Sequence, residues 1–246
     1  MSDVQTIEKI EKLIQSSYTV KVGGREYSAA SLHPVMYNPK PGTLIVHSLR
    51  GFCGFINNDI DKLIKGNPHL IVVNSPKSVD LISTVDDEDK KRTTLVSAKI
   101  NEELDEFPFG KFMSQEEFAI TFRSLFVKKD GDDFEYVLAY ASKLVGSTSI
   151  EGEHDGITQK VTVKRGMSGA LKDKEALKPI VRLSPYRTFR EVNQPESEFL
   201  FRVRLSQNDA PTVALFEADG GAWVDNATQN IVDYINKAVS GIPVIS

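Results

Sequence analysis

Two alternating runs near the C-terminus constrain the fold of this chain more than any other feature. They read EFLFRVRL over 198–205 and TVALFEA over 212–218. Successive side chains of a β-strand point to opposite faces, so each run predicts a strand with one buried and one outward face. The linker between them, SQNDAP, is short enough for a hairpin. We therefore expect an antiparallel strand pair.

The register that we predict for this hairpin pairs Phe201 with Phe216 on the buried face. On the outward face it places Glu217 diagonal to Arg202, which predicts an ion pair worth roughly 0.2–1 kcal/mol. Glu217 and Asp219 are also two carboxylates at one strand end, a pattern that can hold Mg²⁺. A nuclease-like site would need a third acid and a nearby lysine, and no lysine has suitable spacing. We therefore predict the ion pair and no metal site, with Glu217 and Asp219 as the only metal candidates.

The chain then reverses into a predicted helix over 222–240. Gly220 and Gly221 predict the sharp reversal, because glycine adopts positive φ without steric cost. Asp219 is expected to help cap the helix, where its charge suits the positive end of the helix dipole.

The N-terminal half mixes helices and strands. Apolar spacing predicts a helix over 3–16, and Gly23-Gly24 between two β-rich runs predicts a hairpin. A strand–helix–strand unit is expected over 43–74, with Ser48 capping a helix that keeps its apolar face through residue 65.

These patterns predict an α+β fold with mixed, mainly antiparallel sheets and flanking helices. One strand–helix–strand unit lies in the N-terminal half and a helix closes the chain. Ser114 and Glu117 form a capping box for a further helix. From Gly146 onward the pattern becomes mostly β. We expect a mixed α/β part over 1–145 and a β-rich part with the terminal helix over 146–246, either as two domains or as one integrated domain.

Composition narrows the class of protein. The 246 residues are 40% hydrophobic and 26% charged, as in ordinary soluble globular proteins. The net charge of −4 gives no global positive field for nucleic acid. The N-terminus does not resemble a secretory signal, and no run approaches the ~20 apolar residues of a membrane span. We expect a cytoplasmic protein without membrane partners or cofactors.

Few motifs point to chemistry. Cys53 is the only cysteine and is predicted to be a buried structural thiol. The run LRGFCGF over 49–55 follows a strand and opens a helix, but it lacks the lysine–hydroxyl pair of a phosphate loop. None of the four histidines lies within four residues of another, which excludes a helical metal pair. His47 and His69 flank predicted strands and are expected to be structural or rim residues.

The most suggestive segment combines basic and aromatic residues over 182–204. Interleaved arginines and aromatic rings can hold a nucleic-acid strand through phosphate contacts and stacking. The alternative is a set of ion pairs with Glu191, Glu196, Glu198 and Glu217. The candidate residues for binding nucleic acid or nucleotides are Arg182, Arg187, Arg190, Arg202, Arg204 and Tyr186.

Two stretches carry a family resemblance. They read VRLSPYRTFREVNQPESEFLFRVRL over 181–205 and APTVALFEADGGAW over 210–223. Together they resemble an uncharacterised family of phage and prophage proteins typified by the enterobacterial prophage protein YfdQ. The similarity is strongest over 179–235 and looser in PGTLIVHSLRGFCGFIN and MSQEEFAITF. It implies a phage-borne gene, often among early, non-virion genes near DNA-metabolism functions, and it transfers no catalytic residues.

The sequence therefore predicts a phage- or prophage-encoded soluble accessory protein of the host cytoplasm, without catalytic activity. It would act through self-association, as a homo-oligomer, and through binding, with a host protein among the conceivable partners. One alternative is an accessory factor of phage DNA metabolism that binds nucleic acid or nucleotides through the 182–204 segment. Another is a metal-dependent hydrolase using Glu217 and Asp219.

Overall fold

The computed structural model divides the chain into two compact units, Met1–Pro41 and Gly42–Ser246. It describes residues 3–16, 19–28, 40–86, 90–101, 103, 106–144, 147–154, 159–165, 177–206 and 210–246. No helix among these ranges combines the length and apolarity needed to cross a bilayer.

The described residues of the first unit form one helix and one hairpin. Helix α1 spans Asp3–Ser16, and the strands β1 (Thr19–Val22) and β2 (Arg25–Ser28) pair antiparallel. Gly23 and Gly24 form the turn with φ of 59° and 83°. Both predictions for this region are confirmed. The glycine pair suits the turn, because glycine adopts two consecutive positive φ angles without strain.

The second unit contains two five-stranded sheets and four helices among its described residues. In chain order its elements are β3 (Leu44–Val46), α2 (Leu49–Asn58), β4 (His69–Ser75), β5 (Ser78–Ser83), β6 (Thr94–Lys99), β7 (Met113–Ser114), α3 (Gln115–Leu125), β8 (Phe126–Val127), α4 (Phe134–Lys143), β9 (Ser147–His154), β10 (Gln159–Arg165), β11 (Ile180–Pro185), β12 (Ser197–Leu205), β13 (Pro211–Glu217), α5 (Trp223–Ala238) and β14 (Val244–Ile245).

The first sheet has the strand order β14-β4-β5-β6-β3. β3 runs parallel to β6 and β14 parallel to β4, while β4, β5 and β6 pair antiparallel. β3 and β4 therefore run in the same direction with two strands between them, and α2 connects them. This confirms the predicted strand–helix–strand unit. The buried core of this sheet packs against α2 and α5 and includes Phe52, Ile56, Val79, Leu81, Ile231 and Ile235.

Helix α2 is shorter than predicted, because it ends at Asn58 and not at residue 65. Asp59 adopts a left-handed conformation with φ of 44°. Its carboxylate accepts hydrogen bonds from the N–H groups of Ile64 at 2.8 Å and Lys65 at 3.0 Å. The apolar spacing continued past Asn58, but this local bonding competes with the helix for the backbone groups.

The second sheet is antiparallel, with the order β7-β13-β12-β11-β8. Helices α3 and α4 cover its inner face, and its core is rich in phenylalanine, including Phe107, Phe118, Phe122, Phe126, Phe199 and Phe201. The sheet takes strands from both sides of residue 145, and the expected division at 145/146 stays a prediction. β9 and β10 form a separate antiparallel pair, where the sequence pattern predicts a hairpin around His154-Asp155-Gly156; Asp155 and Gly156 lie outside the described residues.

The hairpin of β12 and β13 forms as predicted, but our register was wrong by one residue. Phe201 faces Leu215 and not Phe216, and Leu200 faces Phe216. The linker closes earlier than expected, because the N–H of Ser206 donates to the carbonyl oxygen of Ala210 at 2.8 Å. A one-residue slip moves every side chain of a strand to the other face.

Three predictions about helix ends have different outcomes. Ser114 caps α3 by accepting from the N–H of Glu117 at 3.3 Å, as predicted. Gly220 and Gly221 adopt φ of 63° and 87°, which confirms the glycine reversal. Asp219 does not cap α5, because its carboxylate accepts from the N–H of Gly221 at 3.1 Å, before the helix begins at Trp223.

Candidate ligand-binding site

A cavity of about 650 Å³ opens at one edge of the first sheet. Small-molecule sites typically have volumes of about 300–1,000 Å³ and a few convergent polar groups. β3, β4 and β6 run in the same direction, so their carboxyl ends meet at this edge. The cavity is built from the residues that follow these strands and from the segment after β11.

The strand ends supply basic and hydroxyl groups. His47 and Ser48 follow β3, Lys77 lies in the turn between β4 and β5, Ser78 begins β5, and Lys99 ends β6; all five line the cavity. The Nδ1 atom of His47 lies 3.1 Å from the carbonyl oxygen of Lys99, which ties the two parallel strand ends together. The ammonium group of Lys77 contacts the carboxylate of Glu106, which also lines the cavity.

The other part of the lining is the segment 186–191. Gln194 is 3% exposed and holds this segment from within. Its Oε1 accepts from the N–H groups of Arg187 at 3.1 Å and Thr188 at 3.3 Å. Its Nε2 donates to the carbonyl oxygens of Phe189 at 2.9 Å and Val192 at 3.2 Å. The side chain of Gln194 therefore supplies hydrogen-bond partners for backbone groups that an irregular segment does not pair by itself.

Tyr186 and Arg190 form a stacked pair on this segment. The Cζ atom of Arg190 lies 3.9 Å from the centre of the Tyr186 ring. Arg190 is exposed, Tyr186 is half-buried, and both line the cavity. The stack gives the cavity a flat cationic surface, because the guanidinium group is planar.

The N-terminus of α2 reaches the cavity but is already closed by side chains. Ser48 accepts from the N–H of Gly51 at 3.0 Å, and Glu191 accepts from the N–H of Arg50 at 3.2 Å. Cys53 is a buried residue of the same helix. Its burial and the charge of Glu191 raise the pKa of its thiol to about 11. The prediction of a buried structural thiol is confirmed, since a thiol with this pKa stays protonated near neutral pH.

The partner predicted for Glu217 was wrong. The corrected register places Glu217 opposite Phe199 at the sheet end, away from the outward face of Arg202. Its Oε1 instead accepts from Nη1 of Arg187 at 2.5 Å. Nη2 of Arg187 donates to the hydroxyl of Ser197 at 2.5 Å.

Aromatic rings enclose the same guanidinium. Its Cζ lies 4.3 Å from the ring centre of Trp223, 5.4 Å from that of Phe199 and 5.6 Å from that of Phe109. Burial lowers the pKa of Arg187, and the carboxylates of Glu217 and Asp219 oppose that shift. The arrangement is a largely buried cation with its own counter-ions, so this part of the cavity wall is internally neutralised.

This arrangement also bears on the metal candidates. Glu217 is bonded to Arg187, and a guanidinium beside Glu217 and Asp219 repels a metal ion. Within the residues that the structure describes, no group of three His, Cys, Asp or Glu side chains is placed to hold a metal ion.

The remaining predicted residues lie elsewhere. Arg182, Arg202 and Arg204 project from the outward face of the second sheet, whereas Tyr186, Arg187 and Arg190 line the cavity. Arg182 lies 3.9 Å from Glu196, and Nη1 of Arg202 donates to the carbonyl oxygen of Phe201 at 3.2 Å. Arg204 stacks on Phe112 at 3.8 Å. The basic segment therefore contributes to two surfaces, not one.

No family model, no curated protein and no solved structure matches this chain. The resemblance to the phage and prophage family stays a prediction.

Sequence reasoning missed the residues at the strand ends. Lys77, Lys99 and Ser48 were not singled out as ligand-binding residues, although each lies at the end of a strand or two residues beyond it. The signal was present in their positions, because polar residues after parallel strands gather at one sheet edge. Using that signal also required knowing that β6 runs in the same direction as β3 and β4, and the predicted strand–helix–strand unit did not include β6.

Proposed function

We propose that this protein is a non-catalytic binding protein that takes a phosphate-bearing ligand in the cavity. The observation that carries the proposal is the cation content of the lining. Lys99 and Arg190 contribute positive charge beyond the neutralised Arg187, Lys77 adds an ammonium group that contacts Glu106, and Ser48 and Ser78 also line the cavity. Ammonium, guanidinium and hydroxyl groups together are the donors that proteins use for phosphate oxygens.

A binding role is favoured over a catalytic one by the state of the reactive groups. The Cys53 thiol is buried with a raised pKa, and Glu217 and Asp219 accept bonds from Arg187 and Gly221. A hydrolase reading would regain support from Mg²⁺- or Mn²⁺-dependent turnover that Glu217→Gln abolishes. The phage origin and the location in the bacterial host cytoplasm remain part of the proposal and rest on the resemblance alone.

The test is calorimetric titration with inorganic pyrophosphate. We expect saturable binding that the double variant Lys77→Gln/Lys99→Gln weakens at least tenfold, because charge-assisted hydrogen bonds contribute about 1.5–3 kcal/mol each. Lys237→Gln is the matched control, since Lys237 is an exposed lysine on α5 that does not line the cavity. Equal affinity in the wild type, the double variant and the control would contradict the proposal.

Self-association is a second proposal, and the edges of the first sheet favour it. Edge strand β3 exposes Leu44 by 46% and Ile45 by 54%, and edge strand β14 exposes Ile245 by 50%. Unpaired, apolar strand edges readily add a strand from another copy of the chain. We expect light scattering to report an oligomer that Ile45→Lys dissociates, with Ile120→Lys on α3 as the control. A monomeric wild type would contradict this proposal.

Binding of a single-stranded nucleic acid is a third proposal, favoured by the outward face of the second sheet. The Arg204–Phe112 stack lies there, with Phe216 at 5.8 Å from Phe112. Guanidinium and aromatic planes stack on bases. We expect salt-dependent binding of a labelled single-stranded oligonucleotide, weakened by Arg204→Gln but not by Arg123→Gln on α3.

A further inference from the structure

We infer that the ligand of the cavity is a nucleotide, with its base stacked on the Tyr186–Arg190 pair and its phosphate held by Lys77 and Lys99. The inference rests on the proposed function and adds the ligand class. It comes from the difference between the two parts of the lining. One part is a flat stacked pair, and the other is a set of ammonium and hydroxyl groups.

The flat part is suited to a planar ring. The guanidinium carbon of Arg190 lies over the Tyr186 ring, 3.9 Å from the ring centre. Bases stack on tyrosine rings and on guanidinium planes in nucleic-acid-binding proteins. Gln194 holds the backbone beneath this pair through four hydrogen bonds, so the stacking surface is organised before a ligand arrives.

The polar part is suited to a phosphate. Lys77 immediately precedes β5 and Lys99 ends the neighbouring strand β6, and Ser48 and Ser78 lie in the same lining. The phosphate meets these side chains and not the N-terminus of α2, because Ser48 and Glu191 already accept from its first N–H groups.

Size and charge agree with a single nucleotide. A volume of about 650 Å³ lies within the range of sites that enclose one drug-sized ligand. Beyond the neutralised Arg187, the basic side chains Lys77, Lys99 and Arg190 share the lining with the carboxylates Glu106 and Glu191, which leaves one net positive charge for an anion. The same chemistry is found in a free nucleotide and in the 5′-terminal nucleotide of a strand.

The experiment compares ribose 5-phosphate with adenosine 5′-monophosphate by calorimetric titration of the full chain. We expect the nucleotide to bind about 5- to 150-fold more tightly, which is the usual range for stacking one base. Tyr186→Leu should remove that difference and leave the affinity for ribose 5-phosphate unchanged, whereas Tyr186→Phe should preserve it. Lys99→Gln should weaken both ligands.

The outcomes separate the two proposals. Equal wild-type affinities for the two ligands would overturn this inference while leaving phosphate binding intact. Failure of the wild type to bind pyrophosphate and both phosphate esters would overturn the proposed function as well. The wild-type comparison holds even if Tyr186→Leu does not fold. A 5′-phosphorylated oligonucleotide that binds more tightly than the mononucleotide would assign the site to a strand end, and the reverse would assign it to a free nucleotide.

Discussion

The guanidinium of Arg187 illustrates how much one side chain contributes at the residue scale. It touches Glu217 and Ser197 through separate nitrogen atoms and faces three aromatic rings. Lysine has the same charge but neither the planar fork nor the stacking surface. The site therefore requires arginine, not only a cation.

We expect Arg187→Lys to lower the free energy of unfolding by about 3 kcal/mol, because it loses a charge-assisted hydrogen bond and a desolvated cation–π contact. Urea denaturation measures this change. Arg182→Lys is the control, since Arg182 is exposed and 3.9 Å from Glu196, and exposed pairs contribute at most about 1 kcal/mol. Equal losses in both variants would show that the buried cluster adds nothing.

Asp59 predicts a pH effect at the same scale. Backbone hydrogen bonds from Lys65 and Ile64 lower the pKa of its carboxyl group. A lowered folded-state pKa stabilises the protein above the unfolded value, about 3.9, and the stabilisation is lost as the pH falls through the folded-state pKa. Asp59→Asn keeps a residue that tolerates the left-handed conformation but removes the charge.

We therefore expect Asp59→Asn to be less stable than the wild type at pH 7, with a smaller difference at pH 3. Urea midpoints at the two pH values provide the measurement. Asp61→Asn, at an exposed position two residues later, controls for the loss of one negative charge. A difference that stays constant with pH would show that the Asp59 carboxylate does not carry the effect.

At the scale of elements, the reversal between β13 and α5 depends on Gly221. A side chain at its φ of 87° is strained even though nothing lies within 4 Å of the added Cβ. We expect Gly221→Ala to destabilise the protein by about 1–2 kcal/mol. Gly54→Ala is a matched control inside α2, also with open space around it, and should stabilise by about 0.5–1 kcal/mol.

Thermal unfolding of the two alanine variants would show shifts of opposite sign. If Gly221→Ala matched the wild type, the reversal would not need a left-handed residue.

The hairpin of β12 and β13, which precedes this reversal, was predicted only in part. Its strands were readable from alternation, but its register depended on where the loop closed, at Ser206 and Ala210.

At the scale of the whole molecule, the segment after β11 connects the two sheets. Val181 and Leu183 belong to the core of the second sheet, whereas Phe189 and Val192 belong to the core of the first. The hydroxyl of Thr188 donates to the carbonyl oxygen of Pro76 at 2.6 Å, which ties the segment to the turn beside the cavity. The cavity therefore lies where the two cores are joined.

We expect Gln194→Leu to lower the free energy of unfolding by about 2–4 kcal/mol, because it leaves buried backbone groups without partners. It should also weaken pyrophosphate binding, since the segment that carries Arg190 loses its hydrogen bonds to the Gln194 side chain. Differential scanning calorimetry and titration measure the two effects. Asn193→Ala, at the exposed neighbouring position, should change neither. A stable Gln194→Leu variant with normal binding would contradict this role.

Most of the helices and strands can be predicted from local sequence patterns. Periodicity, caps and glycine pairs located helices α1, α2, α3 and α5 and the strands of the β1–β2 and β12–β13 hairpins, because these signals act within one turn or one hairpin. The predicted helix α2 was too long, because apolar spacing does not show the hydrogen bonds that the N–H groups of Ile64 and Lys65 donate to Asp59. The fold class followed from the elements alone.

Only the tertiary structure decided which charged residues meet. The sequence grouped six basic and aromatic residues by proximity along the chain, and the sheets separated them onto two surfaces. Lys77, Lys99 and Ser48 joined Tyr186 and Arg190 across the fold because β3, β4 and β6 point the same way. Strand direction and register are set by the packing of whole sheets, and no local pattern of residues contains that information.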